Sequence, residues 1–555
     1  MKYSGAEIII KLLERQGIKI IAGIPGGANL PLYNALSKSK IRHILVRHEQ
    51  SAGFIAQGMA RLTGKPAVCF ATSGPGATNL LTAIADAKLD SIPIIAITGQ
   101  VARNLIGTDA FQEVDTYGMS IPITKHNFLI RNARELFKVI PEAFRIAQEG
   151  RPGPVLIDVP KDIQTQEIVF SSWPEMPKIK KSGKVDKNRI KQMAQAINAA
   201  KKPILYIGGG IISSKAEKAI SRLAKKNSIP VTSTLMGLGA FSADEPLYLG
   251  MLGMHAQTFT NLLIEEADLI VALGVRFDDR ATGQAKHFCS KAKIIHIDID
   301  NAEIDKIKQS HFSLCADARA ALEALIPLVE YSKRRDWLKE INEKRKAYPS
   351  FIPKDKLHPV NIIRRISELA PEDAIITTDV GQHQMWVAQG YPFKKPRTLL
   401  SSGGLGTMGF GLPAAIGAAL ASPKRKIICL SGDGSILMNI QELATLAELN
   451  LNLTIIIMNN GHLGLVRQQQ EFFYGKNYIA TKFFKKHSFK RIANAFGIRA
   501  FEVERNAKLD SILKKAFKSR RPLLLDIDIH PGHNVIPMVR PGKSNRDTIG
   551  GQIYE

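Results

Sequence analysis

Short unbroken apolar runs alternate with longer stretches in which apolar residues recur every three or four positions, from one end of the chain to the other. The first kind reads as strands buried on both faces, the second as amphipathic helices. Their regular alternation predicts α/β domains with parallel sheets. In the first third the predicted strands are Ile18–Ile24, Ile41–Val46, Pro66–Ala71, Ile92–Thr98 and Pro154–Val159. A polar, Lys-rich stretch from about Gln164 to Lys187 predicts a linker. A middle block, from about Asn188 to Leu328, carries strands at Pro203–Ile207, Pro230–Ser233, Ala267–Leu273 and Lys293–Ile299. The charged segment Tyr331 to Lys356 reads as a second linker. The last block holds Ala374–Thr378, Lys426–Ser431, Leu453–Met458 and Pro522–Ile529. Its layout is like that of the first. A chain of 555 residues is too long for one core. Three domains are therefore expected, at 1–165, 188–328 and 358–555.

Composition narrows the class only a little. No apolar run approaches the ~18 residues of a membrane span. The N-terminus enters an amphipathic helix in which Glu7, Lys11 and Glu14 interrupt the apolar residues, so no secretory core is read there and a cytoplasmic protein is expected. Cys69, Cys289, Cys315 and Cys429 show neither paired nor metal-ligand spacing, which predicts buried thiols in a reducing compartment. The net charge of +26 raises the question of an anionic partner. Its Lys and Arg are spread over expected linkers and outer helix faces, as at Lys333-Arg334-Arg335 and Lys485-Lys486, with no nucleic-acid module beside them. Solvated charge is the expectation, with neither nucleic acid nor membrane as partner.

The most informative motif is Gly432-Asp433-Gly434-Ser435, followed after a spacer by Asn459-Asn460. Each half follows a predicted strand, and positions 435–458 leave room for a crossover helix with Leu437, Ile440, Leu443, Leu446 and Ala447 on its apolar face. Two parallel neighbours would then end side by side, one bearing a carboxylate and the other an amide. Glycines permit close backbone approach, and a helix start offers free N–H groups to an anion. Hard oxygen ligands beside an anion site suit Mg²⁺ shared with a diphosphate. This arrangement resembles the diphosphate motif of thiamine-diphosphate enzymes. Such chemistry also needs a carboxylate at the aminopyrimidine ring, to favour the tautomer that takes the proton from the thiazolium carbon. The candidate is Glu49, where the strand Ile41–Val46 passes into a helix of small residues.

Longer strings make the resemblance close. Arg47-His48-Glu49-Gln50, Ala71 through Asn79, Thr98-Gly99-Gln100-Val101 and Gly107-Thr108-Asp109-Ala110-Phe111-Gln112-Glu113 resemble the acetohydroxyacid synthase (acetolactate synthase) catalytic-subunit family. So do Arg151-Pro152-Gly153-Pro154, Leu252-Gly253-Met254-His255, Arg276-Phe277-Asp278-Asp279-Arg280 and Ser402 through Gly409. The likeness spans nearly the whole chain, in the family's order. It implies a pyrimidine-binding, a central FAD-binding and a diphosphate-binding domain. The implied reaction decarboxylates pyruvate and joins the two-carbon unit to a second pyruvate or to 2-ketobutyrate, in branched-chain amino-acid synthesis.

The resemblance also implies roles. Glu49 activates thiamine diphosphate; Asp433, Asn460 and the backbone carbonyl of His462 hold Mg²⁺. Gly381, Gln382, His383, Met408, Gly432, Gly434, Ser435 and Met438 line that cofactor, with Met408 propping its bent shape. FAD is implied against Arg151, Gly209, Gly210, Leu235, Met254, His255, Arg276, Arg280, Asp298 and Asp317, and its role is structural because the reaction has no net redox change. Phe111, Gln112, Lys161 and Arg280 are expected around the substrate channel; Arg280 could instead form a surface ion pair with Asp278 or Asp279. The family also implies at least a homodimer, with Glu49 and Asp433 of one active site drawn from different subunits, and often a separate regulatory small subunit. Gln469 stands where many members have Trp, and Gly461 and His462 also depart from common family residues. Loss of the large apolar wall at 469 predicts a weaker preference for 2-ketobutyrate. A related enzyme such as pyruvate oxidase, with redox-active FAD, is the alternative. The Phe111-Gln112 and Arg276–Arg280 strings speak against it, and Glu49 speaks against a glyoxylate carboligase. A non-catalytic binding protein is disfavoured by the intact metal motif.

Overall fold

The computed structural model describes residues 1–177, 179, 185–504 and 509–550. Three six-stranded sheets, parallel throughout, form its frame. The first runs in the order Arg42–Leu45, Ile20–Gly23, Ala67–Ala71, Ile94–Gln100, Val155–Pro160, His126–Leu129. The third runs Leu399–Leu400, Ile375–Thr378, Ile427–Gly432, Leu453–Asn459, Leu523–Asp528, Arg499–Val503. Numbered within each block, both follow the order 2-1-3-4-6-5, so the likeness of the outer blocks extends to topology. The middle sheet runs Tyr248–Met251, Val231–Ser233, Pro203–Ile207, Leu269–Leu273, Lys293–Asp298, Phe312–Cys315. That is 3-2-1-4-5-6, the order of dinucleotide-binding folds.

Every central strand coincides with a predicted apolar run. In the six-stranded sheets the strands not predicted are His126–Leu129, Tyr248–Met251, Phe312–Cys315, Leu399–Leu400 and Arg499–Val503, all at sheet edges; the short pairs Lys2–Ser4 with Glu167–Val169 and Met538–Val539 with Thr548–Ile549 are not predicted either. An edge strand is covered less completely, so its sequence is mixed and short. The crossover expected between Ser435 and Met458 is two helices, Asp433–Ile436 and Glu442–Leu449, not one.

Both linker expectations need correction. The first stretch begins with the end of the helix Lys161–Thr165 and the strand Glu167–Val169, which pairs antiparallel with Lys2–Ser4. Residues 178 and 180–184 of that stretch lie outside the described residues. The second contains the helix Arg335–Ala347, which buries Trp337 and Ile341, one turn apart, against the middle domain. Trp337 Nε1 donates to the Pro203 carbonyl at 3.2 Å. Charge on the outer face hid this two-residue apolar stripe.

The outer domains share one core through two crossing helices. Glu49–Thr63 is capped by His48, whose Nδ1 accepts the Gln50 N–H at 3.2 Å, and it ends at Gly64 with φ +69°. It crosses Gly411–Ala421, which is buried from Gly411 to Ala419. A Cβ on Gly58 would overlap the Ala414 carbonyl, and one on Gly417 would overlap the Ile55 carbonyl. Small residues here let two backbones touch. Among the described residues no helix is long and apolar enough to cross a membrane. Cys69, Cys289 and Cys429 are buried as expected, but Cys315 is exposed, because it ends an edge strand.

Candidate active site

In open α/β sheets, ligands bind outside the carboxyl ends of the strands, where strand order reverses. In the third sheet that point lies between Ile375–Thr378 and Ile427–Gly432. Gly381, with φ +148°, precedes the helix Gln382–Gly390, and Asp433 opens the helix after its own strand. Beside it, Leu453–Asn459 pairs in parallel, with Gly432 opposite Met458, so Asp433 and Asn460 do emerge from adjacent strand ends.

The polar groups here are only partly satisfied. His383 is buried between Gly381 and Gly432, where an added Cβ would lie 3.0 Å from its ring in either case. Its Nε2 has no hydrogen-bond partner among the described residues. Burial holds the ring neutral, with a pKa lowered to about 3. Asp433 is buried and, among the described residues, in no salt bridge; burial pushes its carboxyl up to about 7 against backbone N–H groups of Asn460, Gly461 and Gly434. Asn460 Nδ2 donates to Gln382 Oε1 at 3.2 Å, and its Oδ1 accepts the His462 N–H at 3.0 Å. Gly464 lets the Gln382 and Asn460 amides lie against the backbone, since a Cβ there would meet Gln382 Oε1 and Asn460 Nδ2. The Ser435 hydroxyl donates to the Val380 carbonyl. A buried carboxylate in no salt bridge among the described residues, the Asn460 amide at the next strand end and an imidazole nitrogen with no partner among the described residues suit a metal-bound diphosphate.

The first domain supplies a second cluster. Glu49 begins its helix, and its Oε2 accepts from Asn79 Nδ2 at 2.9 Å. Its Oε1 lies 3.4 Å from where a Cβ of Gly76 would sit. The turn Gly74-Pro75-Gly76 also receives Gln112, whose carbonyl would lie 2.8 Å from a Cβ on Gly74. Gln112 itself adopts φ +59°, an uncommon conformation for a residue with a side chain. Phe111 is 88% exposed, and Lys161 is exposed at the start of its helix.

Met408 is half-buried and Met438 exposed, on either side of Gly409. The Gly409 N–H donates to Asp379 Oδ1 at 2.8 Å, and its carbonyl accepts from Asn439 Nδ2 at 2.9 Å. The start of that loop is held by the first domain: Ser402 and Thr407 hydroxyls donate to Asp86, and the Gly403 and Gly404 N–H groups donate to Asp90. Arg61 bridges the two carboxylates, at 3.1 Å and 2.7 Å. Pattern reading passed over Asn79, Asp86, Asp90, Asp379 and Asn439. They are single polar residues in or at the ends of helices, at a strand end or, for Asn439, in the bend between two helices, and no local spacing marks them.

The middle domain borders a cavity of about 1440 Å³ that all three domains line. It is larger than the ~300–1,000 Å³ of ordinary small-molecule pockets. It receives Gly209, Gly210, Leu235, Met254, His255, Arg276, Arg280, Asp298 and Asp317, together with Arg151 of the first domain and Gln469 of the last. Its glycine turn sits at the switch point of the 3-2-1-4-5-6 sheet, where a Cβ on Gly210 would lie 2.6 Å from Gly274 Cα. Arg151 pairs with Asp300 at 3.1 Å and Glu303 at 2.6 Å. Arg276 donates to the Leu89 carbonyl at 2.9 Å. Asp298 is buried, which pushes its carboxyl up to about 6. Asp317 caps the helix Ala318–Leu325. His255 is buried with its Nδ1 unpartnered among the described residues, and burial lowers its pKa to about 4. Arg280 makes an exposed ion pair with Asp279 at 3.6 Å while bordering the cavity. The site residues thus form three groups, around Asp433, around Glu49 and around this cavity, while Lys161 is exposed and is not brought into contact with any of them among the described residues.

Comparison with known proteins gives this geometry its context. Residues 3–119 match the model of the thiamine pyrophosphate enzyme N-terminal TPP binding domain, 190–325 that of the central domain, and 379–527 that of the C-terminal TPP binding domain. The chain is 54% identical over 552 residues to the acetolactate synthase isozyme 1 large subunit of Escherichia coli K12, covering 99% of this chain and 98% of that protein. It is 44% identical over 547 residues to the isozyme 2 large subunit of the same organism, covering 98% and 99%. An acetolactate synthase of Mycobacterium bovis is 44% identical over 560 residues, covering 98% and 90%. These relatives do not favour the oxidase alternative. With all three domain models of thiamine pyrophosphate enzymes matched and likeness to these large subunits over 98–99% of its length, the chain belongs to the acetolactate synthase large-subunit family of thiamine pyrophosphate enzymes.

Proposed function

We propose that the acetolactate synthase reaction of this chain runs with Glu49 as the activating carboxylate and with Asp433, Asn460 and the His462 carbonyl as ligands of Mg²⁺. The observation that supports this reading is the strand pairing that sets Gly432 opposite Met458, so that a buried Asp433 and Asn460 leave adjacent strand ends, with the Asn460 and Gly461 N–H groups turned to the Asp433 carboxylate. The chemistry supplied by bound thiamine diphosphate is an electron sink for loss of carbon dioxide and for carbon–carbon bond formation.

Each residue has a defined task. Asp433, Asn460 and the His462 carbonyl hold the metal, while Gly381, Gln382, His383, Gly432, Gly434 and Ser435 receive the diphosphate. Glu49 holds a proton at the pyrimidine nitrogen, and Asn79 keeps its carboxylate in place. Met408 and Met438 give apolar support to the cofactor's central part. Phe111, Gln112 and Lys161 edge the substrate channel, and Arg280 takes the carboxylate of the second 2-keto acid.

FAD is proposed for the large cavity, as a structural group. Its size, its place at a dinucleotide switch point, and basic residues at its rim support this. The domain boundaries proposed are 1–165, 188–328 and 358–555, each enclosing one six-stranded sheet.

A homodimer is proposed as the catalytic unit, with Glu49 of one subunit serving the cofactor held by Asp433 of the other. Phe111, 88% exposed, and Met438, 54% exposed, are large apolar side chains that a second copy would cover. A regulatory small subunit is also proposed, since the bacterial relatives are named as large subunits. A cytoplasmic location is proposed with it.

The test is an assay of acetolactate formation from pyruvate by the purified chain, omitting thiamine diphosphate, Mg²⁺ and FAD in turn. Each omission is expected to abolish or sharply reduce the product, with the flavin remaining oxidised throughout turnover. Full activity without Mg²⁺, or flavin reduction coupled to pyruvate consumption, would overturn the corresponding assignment.

A further inference from the structure

Asp379 follows the strand Ile375–Thr378 and is fully buried. Its Oδ1 accepts the Val380 N–H at 3.0 Å and the Gly409 N–H at 2.8 Å. Its Oδ2 accepts the Ser431 hydroxyl at 3.2 Å, and the Gly411 N–H is turned to the same carboxylate. All four groups can donate, which an ionised carboxylate matches with its two acceptor oxygens. Burial pushes the carboxyl up to about 6, so it is ionised at about pH 8. Close approach is built into the backbone. A Cβ on Gly411 would lie 2.8 Å from the Asp379 nitrogen, and Gly409 has φ +89°, where glycine is favoured.

These contacts gather three elements of the last domain. Gly409 directly follows Met408, and Ser431 directly precedes the Gly432-Asp433 turn. We infer that Asp379 is a positioning residue, a fork that holds the Met408 loop at a fixed reach from the Gly432-Asp433 turn. Both ends of the fork lie in one domain of one chain, so a single cofactor meets both, whichever subunit supplies Glu49. The inference rests on the reading of Met408 as support for the cofactor and of Asp433 as a ligand of its metal. The carboxylate also serves the start of the helix Gly411–Ala421, whose own N-cap, Phe410, makes no side-chain hydrogen bond. A cap alone acts on stability and not through Met408, and that difference separates the two roles.

The test is a double-mutant cycle on the full chain, with Asp379→Ala, Met408→Ala and the two combined. In cofactor-free protein, amide hydrogen–deuterium exchange is followed by mass spectrometry in a peptide covering 406–412. Asp379→Ala is expected to speed it about tenfold, the scale set by one or two lost hydrogen bonds. In protein loaded with thiamine diphosphate and Mg²⁺ at about pH 8, exchange of the cofactor's C2 proton is followed by quenched-flow NMR. Asp379→Ala and Met408→Ala are each expected to slow it by about fivefold or more. The double variant should exchange within about threefold of Met408→Ala, because a residue that acts through Met408 has nothing left to act on. Asp379→Asn keeps an oxygen for Val380 and Gly409 and can donate to Ser431, whose hydroxyl then turns to the Gly432 carbonyl at 3.2 Å. It is expected to exchange at least about threefold faster than Asp379→Ala.

A smaller fall for Asp379→Ala would overturn the inference. So would a double variant more than about threefold slower than Met408→Ala, the mark of an independent structural effect, or an Asn variant no faster than the Ala variant. Met408→Ala separates the two layers of the reading. If it leaves C2 exchange unchanged, the reading of Met408 has failed and the fork falls with it; if it slows exchange while Asp379→Ala does not, the fork alone has failed. Should Asp379→Ala not fold, Asp379→Ser takes its place in the cycle. Its hydroxyl can still serve the Val380 N–H but stops short of Gly409, and it carries the same expectations and the same refutation.

Discussion

Asn79 Nδ2 donates to Glu49 Oε2 across 2.9 Å, joining the starts of two neighbouring helices of the first domain. If Glu49 activates the cofactor, Glu49→Gln should cut acetolactate formation by about 10²–10⁴-fold, the range for a lost acid–base group. Asn79→Leu should cost about tenfold, through orientation alone. Steady-state assays on both variants, with far-UV circular dichroism to confirm folding, check this. Parent-like turnover by Glu49→Gln would refute it.

Gly417 and Gly58 mark where the two core helices touch backbone to backbone. Gly417→Val would drive a side chain into the Ile55 carbonyl. Overpacking of this kind costs about 1–3 kcal/mol or more. The expected outcome is a clearly lower thermal midpoint, together with lost activity, since this contact joins the domains bearing Glu49 and Asp433. An unchanged midpoint would show that the helices can separate freely.

Asp158 is fully buried, and burial pushes its carboxyl up to about 7 despite bonds from the Thr98 hydroxyl at 2.7 Å and the Gln100 amide at 3.0 Å. The unfolded chain ionises this group near pH ~3.9. Between those values the native state binds more protons than the unfolded one, so stability falls as pH rises. The contribution is fully present below about pH 4 and lost by the time pH passes about 7. Asp158→Asn removes the titration. Its thermal midpoint relative to the parent should therefore climb from pH 5 to pH 8; a constant difference would contradict the assignment.

Gln469 borders the large cavity with Leu465 and Met254. A pocket wall distinguishes one methylene by about 1–3 kcal/mol. The parent should show little preference for 2-ketobutyrate over pyruvate, and Gln469→Trp should raise it by about tenfold. Competition assays reporting the ratio of acetohydroxybutyrate to acetolactate decide this. Strong enrichment of acetohydroxybutyrate by the parent would defeat it.

Much of the architecture could be read from residue order. The central strands are continuous apolar runs because both their faces are covered, and their carboxyl ends carry the glycine and carboxylate motifs. Gly432-Asp433-Gly434 and Asn459-Asn460 could be placed side by side because a crossover between parallel strands has a fixed hand. The edge strands were not legible, since half-exposure mixes their composition. The helix Arg335–Ala347 was hidden as well: two buried residues, Trp337 and Ile341, dock a segment that is otherwise charged.

The order of residues by itself determined the class of fold, the three blocks, and the local chemistry at each strand end, because these depend on neighbours along the chain. Only the tertiary structure decided how those ends are held together. Asn439 meets Gln50, Asp86 meets Ser402, and Gly417 meets Ile55 across hundreds of residues. Such contacts have no spacing to betray them. They arise where helices from different domains are packed closely enough for one amide or one missing Cβ to matter.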